Sequence, residues 1–263
     1  MKSICFITTV LLAVSLFSQD TFSIVAVDET TGEVGGAGAS CIDNVGFPGS
    51  NGAIIINELK PGKGAIHTQA YYIPSNQANA ANRMDAGDSP QEIITWLVAN
   101  DVQNDPQRRQ YGVVDFDSSG NARSAAFTGA NTDDYKGHIE GPNYAIQGNI
   151  LLGQEILDSM EARFLNTPGS LADKLMAALQ GANVPGADTR CLNEGVSSLS
   201  AFIRVAKPGD SDGSYFLDLN VPSTAFGVEP IDSLLTLFDE WKATTGIGDP
   251  GSEPFEVMAV SYT

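Results

Sequence analysis

The chain has 263 residues, 42% of them apolar, which suffices for one large packed domain and gives no reason to divide it. Its 14 Lys and Arg stand against 32 Asp and Glu, a formal charge of −18. A surface this acidic repels nucleic acid and anionic lipid, so neither is an expected partner.

In chain order, residues 1–18 differ from the rest. Lys2 is followed by an almost unbroken apolar run over 4–17, the layout of a secretory signal peptide rather than of a membrane span. No later segment is long and apolar enough to cross a bilayer. The expectation is an exported protein, secreted or periplasmic. A cut after Ser18 leaves Gln19 and Asp20 as a short pro-segment ahead of Thr21. Of three cysteines, Cys5 falls in the leader, and Cys41 and Cys191 remain. In an oxidising compartment they form either a disulfide or two buried thiols. With His67 and His138 they show no metal-ligand spacing, so neither metal nor cofactor is expected.

The segment TFSIVAVD alternates as a strand and ends at the turn DETTGE. VGGAGAS continues in small residues that let backbone or substrate approach closely. NGAIIIN and GKGAIHTQAYY read as two strands around a Pro61-Gly62 turn. A helix is expected over 76–84, and a second follows with Ser89 as its N-cap, Pro90 at the first position and Glu92 closing a capping box. QYGVVDFD and ARSAAFTGA form a hairpin pattern around SSGN, and NYAIQGNILLG is a strand running into the helix QEILDSMEARFL. Ser170 caps LADKLMAALQG, which Gly181 stops. VSSLSAFIRVA and GSYFLDLNV are strands, and Pro230 opens a last helix. Blocks of hairpins alternating with helix pairs predict antiparallel sheets covered by helices, an α+β layered architecture. The domain is expected over 21–245, followed by a C-terminal tail over 246–263.

No phosphate loop, dinucleotide fingerprint, zinc-protease helix or nucleophile elbow occurs. His67 and His138 each stand as lone histidines outside any catalytic motif, and structural or surface roles are expected for them. Thr21 stands apart. Freed of what precedes it, its hydroxyl is a nucleophile and its α-amine, with a pKa of about 7.7–8.0, can serve as the base. On the residues alone the favoured reading is an ordinary strand start, where Thr is common.

The stretches TFSIVAVDETTGEVGGAGAS, GKGAIHTQAYY, QYGVVDFDSSGNARSAAFTGA, NYAIQGNILLGQEILDSMEARF and LADKLMAALQGA, in that order, resemble the DUF1028 family. GADTRC with SSLSAFIRVA is similar to a secreted branch of it. The resemblance implies a fold like that of N-terminal nucleophile (Ntn) hydrolases, a four-layer αββα sandwich of two antiparallel sheets. It further implies Thr21 as the nucleophile and Asn149 as a catalytic partner at the oxyanion. Thr68, Gln69, Thr128, Gly129, Gln147 and Gly148 are implied in substrate binding, and Cys41 and Cys191 in a disulfide. Cys41 and His67 depart from the family pattern, so lysine-assisted activation is not implied. The expected activity is hydrolysis of a small-molecule or peptide amide. The alternative is a non-catalytic secreted Ntn-fold protein used for binding or for surface or filament assembly. Oligomeric state stays open, a homo-oligomer included.

Overall fold

A computed structural model of the chain describes residues 21–246. The leader expected over 1–18, the pro-segment 19–20 and the tail beyond Gly246 lie outside the described residues.

The first two strands form a hairpin, β1 (Thr21–Asp28) with β2 (Glu33–Ser40), closed by the left-handed Gly32 in the DETTGE turn. β3 (Asn57–Lys60), β4 (Gly64–Gln69), β5 (Gln110–Phe116) and β6 (Ala122–Thr128) make a four-stranded antiparallel sheet in chain order. The other sheet adds β7 (Gly137–Glu140), β8 (Tyr144–Gly148), β9 (Ser200–Ala206) and β10 (Leu217–Val221) to the first hairpin, in the order β10-β9-β2-β1-β8-β7. Helices α1 (Pro74–Asp85) and α2 (Pro90–Ala99) cover the four-stranded sheet, with Ile93, Ile94 and Leu97 packed on Ile66, Tyr111 and Val113. Helices α3 (Gln154–Asn166), α4 (Leu171–Gly181) and α5 (Pro230–Thr245) cover the six-stranded one. The two bare faces meet each other through Val25, Val27, Val34, Leu59, Ala65, Val114, Ala145 and Ala206. This is the αββα sandwich.

The capping boxes are present where expected: Ser89 exchanges bonds with Glu92, and Ser170 with Asp173. Gly181 acts differently from the expectation. It is the last helical residue, without a positive φ, and a Cβ there would come within 2.6 Å of the Ser159 carbonyl. It lets α3 and α4 approach rather than capping.

NGAIIIN is a correction. Gly52–Ile56 is a 3-10 helix, and the strand begins only at Asn57. Gly52 has φ 76°, its added Cβ would meet Ser200 Cβ at 2.8 Å, and the Ala53 N–H donates to Ser200 Oγ at 3.0 Å. Ile54 and Ile56 then bury against Phe202. Tertiary burial overrides the β preference of the isoleucine run. β7 was not expected; its four residues alternate half-buried and exposed at a sheet edge, too short a pattern to read.

Candidate functional site

Side chains alternate along a strand, so every second residue of β1, β4, β5 and β8 faces the space between the sheets. On β1 these are Thr21, Ser23, Val25 and Val27; on β4, Ala65, His67 and Gln69. On β5 they are Gln110, Gly112 and Val114, and on β8 Ala145 and Gln147. One end of the inter-sheet layer is therefore apolar. The other, where Thr21 lies, is built from amides, hydroxyls and an imidazole.

Thr21 is fully buried. Its N–H donates to Asn149 Oδ1 at 3.1 Å. Its carbonyl accepts from Gln69 Nε2 at 3.0 Å and from the Asn149 N–H at 3.3 Å. Behind it the side chains form a continuous ladder. Gln147 Nε2 donates to Ser23 Oγ at 2.6 Å, and Ser23 Oγ donates to Gln69 Oε1 at 2.6 Å. Gln69 Nε2 donates to Gln110 Oε1 at 2.7 Å. Gln110 Nε2 donates to Thr128 Oγ1 at 2.9 Å and to the carbonyls of Gly137 and Gly148 at 3.0 and 2.9 Å. Thr128 Oγ1 lies 2.8 Å from Nδ1 of the exposed His138. A buried polar group is tolerated best when bonded, and this ladder links its members across five strands, with Gln147 Oε1 left without a partner.

His67 ends the ladder on the other side. Burial pushes its imidazole down to about 3, so the ring is neutral. Its Nδ1 is 3.4 Å from Gln147 Nε2 and its Nε2 2.9 Å from Asn57 Nδ2. A neutral ring has one donor and one acceptor. Amide nitrogens face both ring nitrogens, so the ring N–H is satisfied only where one of these two amides turns its oxygen to it. Two glycines make room for this. A Cβ at Gly36 would lie 2.6 Å from His67 Nε2, and one at Gly112 would lie 2.1 Å from Gln147 Oε1.

Two strained turns border the site. Ile150, directly after Asn149, has φ 53°, uncommon for a β-branched residue. Its N–H donates to the Asp133 carbonyl at 3.1 Å, and its carbonyl accepts from Thr189 N and Oγ1 at 3.0 and 3.1 Å. Ala70 and Tyr71, directly after Gln69, have φ 54° and 51°. Arg109 Nη1 donates to the Tyr71 carbonyl at 2.6 Å, and the Tyr71 hydroxyl donates to Asp133 Oδ2 at 3.1 Å. Arg109 is buried and paired with the buried Asp101 at 2.8 Å. Burial opposes the Asp101 charge, but Arg109, Asn76 and the N–H groups of Gln103 and Asp105 hold its carboxyl at about 2. Such strain persists where surroundings over-determine the backbone, as they do on both sides of Thr21.

Of the residues singled out in the sequence, the structure brings Thr21, Gln69, Thr128, Gln147 and Asn149 into one connected cluster. Thr68 lies apart: it shares the face of β4 with Ile66, toward α1 and α2. Gly148 offers its carbonyl to Gln110, and Gly129 lets the chain pass Gln107, whose carbonyl would lie 2.2 Å from an added Cβ. Ser23, Asn57, His67 and Gln110 complete the cluster and were not expected there. Their one signal in the sequence is a polar residue in phase with apolar ones on a buried strand face.

Cys41 and Cys191, 150 residues apart, are joined in a disulfide at this same end, where Ser40 pairs with Thr21. A cleft of about 500 Å³ lies at the opposite end, lined by Lys63, Asp85, Asp115 and Arg123, which pair among themselves at 2.6 Å. Among the described residues no helix is long and apolar enough to cross a membrane, and no group of three or more His, Cys, Asp or Glu could hold a metal ion.

The crystal structure of a Silicibacter pomeroyi protein, itself described by the DUF1028 family model, is similar in fold. It is 23% identical, with a TM-score of 0.65 over 85% of this chain and 89% of that one. Anbu (ancestral beta-subunit) from Yersinia bercovieri is 14% identical, with a TM-score of 0.44 over 88% of this chain and 99% of that one. An Anbu (Gly-1) mutant from Hyphomicrobium sp. strain MC1 is 10% identical, with a TM-score of 0.38 over 90% and 100%. The last two are too distant to carry an argument. No curated protein matches the chain significantly. The family model for DUF1028 matches residues 21–232, beginning at Thr21 itself, and the chain belongs to this family of unknown function.

Proposed function

We propose that the protein is an exported Ntn-type hydrolase that cleaves an amide bond with Thr21 as its nucleophile. The observation that carries this reading is the clamp on Thr21: Asn149 Oδ1 on its nitrogen, and Gln69 and the Asn149 N–H on its carbonyl. A strand start needs no such side-chain apparatus at the end of a buried amide ladder. A nucleophile that must hold its own amine against its own hydroxyl does.

While Asp20 is attached, the Thr21 nitrogen is an amide and not a base. The working form begins at Thr21, freed by attack of its Oγ on the Asp20 carbonyl and hydrolysis of the resulting ester. On a substrate, Thr21 Oγ adds to the carbonyl carbon while the amine takes the hydroxyl proton. Collapse breaks the C–N bond, the ammonium returns the proton to the leaving amine, and an acyl ester forms on Thr21. Water, deprotonated by the same amine, releases the acid. Asn149 directs its carbonyl oxygen at the amine. That makes it the group that orients the base, in place of the oxyanion role expected from the sequence.

Sequencing the N-terminus of the exported protein and assaying an amide panel test this. A start at Thr21, activity kept by Thr21→Ser and abolished by Thr21→Ala, is the expected result. A mature start fixed at Gln19 or Asp20, with no activity on the panel, refutes it. The complete burial of Thr21 favours the second reading, a non-catalytic binding protein, and that outcome would select it.

A further inference from the structure

The disulfide holds beside Thr21 a charged group that the amide ladder does not use. Asp188 is fully buried. Its Oδ2 accepts from the Cys41 N–H at 3.0 Å and from Arg190 Nη2 at 2.6 Å. Its Oδ1 accepts from the Arg190 backbone N–H at 3.1 Å and from Arg190 Nε at 3.0 Å. The two-pronged contact fixes the plane of the guanidinium, whose side chain is still 32% exposed.

Three links pin this unit next to the nucleophile. The register pairs Thr21 with Ser40, so Cys41 stands one step past it, on the side from which the chain enters β1. Cys191, adjacent to Arg190, is covalently tied to Cys41. Thr189 donates twice to the carbonyl of Ile150, the residue after Asn149, and Asp188 bridges to Leu151. In any attack by Thr21 Oγ, the acyl part of the amide lies on this side, where the preceding residue is joined in the unprocessed chain. That residue is itself an aspartate, Asp20.

A buried carboxylate paired with one arginine is weak support for stability alone. As a device that holds a planar fork in a set direction, it suits recognition of a second carboxylate. We propose that Arg190 recognises a carboxylate on the acyl side of the scissile amide, so that the substrates are monoamides of dicarboxylic acids. This rests on the Thr21 reading above and names its substrate class.

The test uses the exported protein with its N-terminus determined. Glutarate binding by calorimetry is measured on wild type, Arg190→Lys and Arg190→Gln, alongside hydrolysis of glutaryl and butyryl p-nitroanilides. Arg190→Lys keeps a charge for Asp188, so it carries the test if Arg190→Gln does not fold. We expect wild type to bind glutarate and to prefer the glutaryl substrate at least tenfold in kcat/KM. Arg190→Lys should lose most of that preference and Arg190→Gln all of it, while Thr21→Ala loses both activities. Equal hydrolysis of the two substrates, or a preference kept in Arg190→Lys and Arg190→Gln, overturns the inference and leaves the Thr21 reading standing. Absence of hydrolysis with glutarate binding that still depends on Arg190 overturns the Thr21 reading and supports the carboxylate site. Absence of glutarate binding by wild type overturns the site itself.

Discussion

The two ends of the inter-sheet layer are made from the same strands and obey different physics. At one end Val25, Val27, Val34, Leu59, Ala65 and Val114 interdigitate, and any apolar set of the right volume would serve. At the other, Ser23, His67, Gln69, Gln110 and Gln147 are equally buried, and each is held by partners from other strands. Burying amides gives no free energy comparable to burying leucine, and each bond nets only about 0.5–1.5 kcal/mol. The polar end is thus the less economical way to join two sheets. What it supplies is direction: a fixed place for the Thr21 nitrogen and carbonyl.

The sharpest way to break the contrast is to untie the polar end from outside. Replacing Cys41 and Cys191 by serine opens a loop of 150 residues, a loss of about 5 kcal/mol in the chain-entropy model. Urea unfolding of the double variant should show a loss of that order. Substrate turnover should fall in protein that remains folded, because Arg190 and Thr189 lose their anchor.

Next comes Arg109→Met, which strands the buried Asp101 carboxylate and frees the left-handed Tyr71. A loss of about 3–5 kcal/mol is expected. Leu59→Ala at the apolar end should cost about 2–5 kcal/mol by leaving a cavity. The two differ in kind. Leu59→Ala should leave the properties of Thr21 untouched, whereas Arg109→Met should alter them, as read by hydrogen exchange of the Asn149 amide, which donates to the Thr21 carbonyl.

Ser23→Ala removes the link between Gln147 and Gln69 and should cost about 1–3 kcal/mol, since both amides lose a buried partner. A stability change within a few tenths of a kcal/mol would show that the ladder is not a cooperative unit.

The polar end also predicts a pH dependence. His67 is held near 3 when folded, against 6.5 ordinarily, so between these values the unfolded chain binds the extra proton. Stability should therefore fall as pH drops from 6.5 toward 3. Asp101, with its carboxyl depressed from 3.8 to about 2, adds stability that is present above 3.8 and lost as pH falls toward 2. Unfolding measured from pH 7 to pH 2 checks both windows. His67→Phe should abolish the upper one, and no substitution in the apolar end should move either.

The sequence by itself determined the elements and the layers. Alternation marked β1, β4, β5 and β8, the Ser89 and Ser170 capping boxes marked their helices, and hairpins alternating with helix pairs implied covered antiparallel sheets. These are local signals, carried by residues two to four apart, and they survive in any context that buries the marked face. The resemblance singled out Thr21, Gln69, Thr128, Gln147 and Asn149 by motif, without saying which would meet. Tertiary structure alone decided that Thr68 faces the helices while its neighbour Gln69 faces Thr21, because a strand's phase is set by what packs on each side. It decided that GAIII coils into a 3-10 helix on Phe202. It also brought Asn57, His67 and Gln110 into the ladder and set Arg190 beside Cys41 through Asp188, by hydrogen bonds that reach from 10 positions (Asn57 to His67) to 147 (Cys41 to Asp188) along the chain. A hydrogen bond across such a distance depends on register and layer spacing together, and no window of the chain contains either.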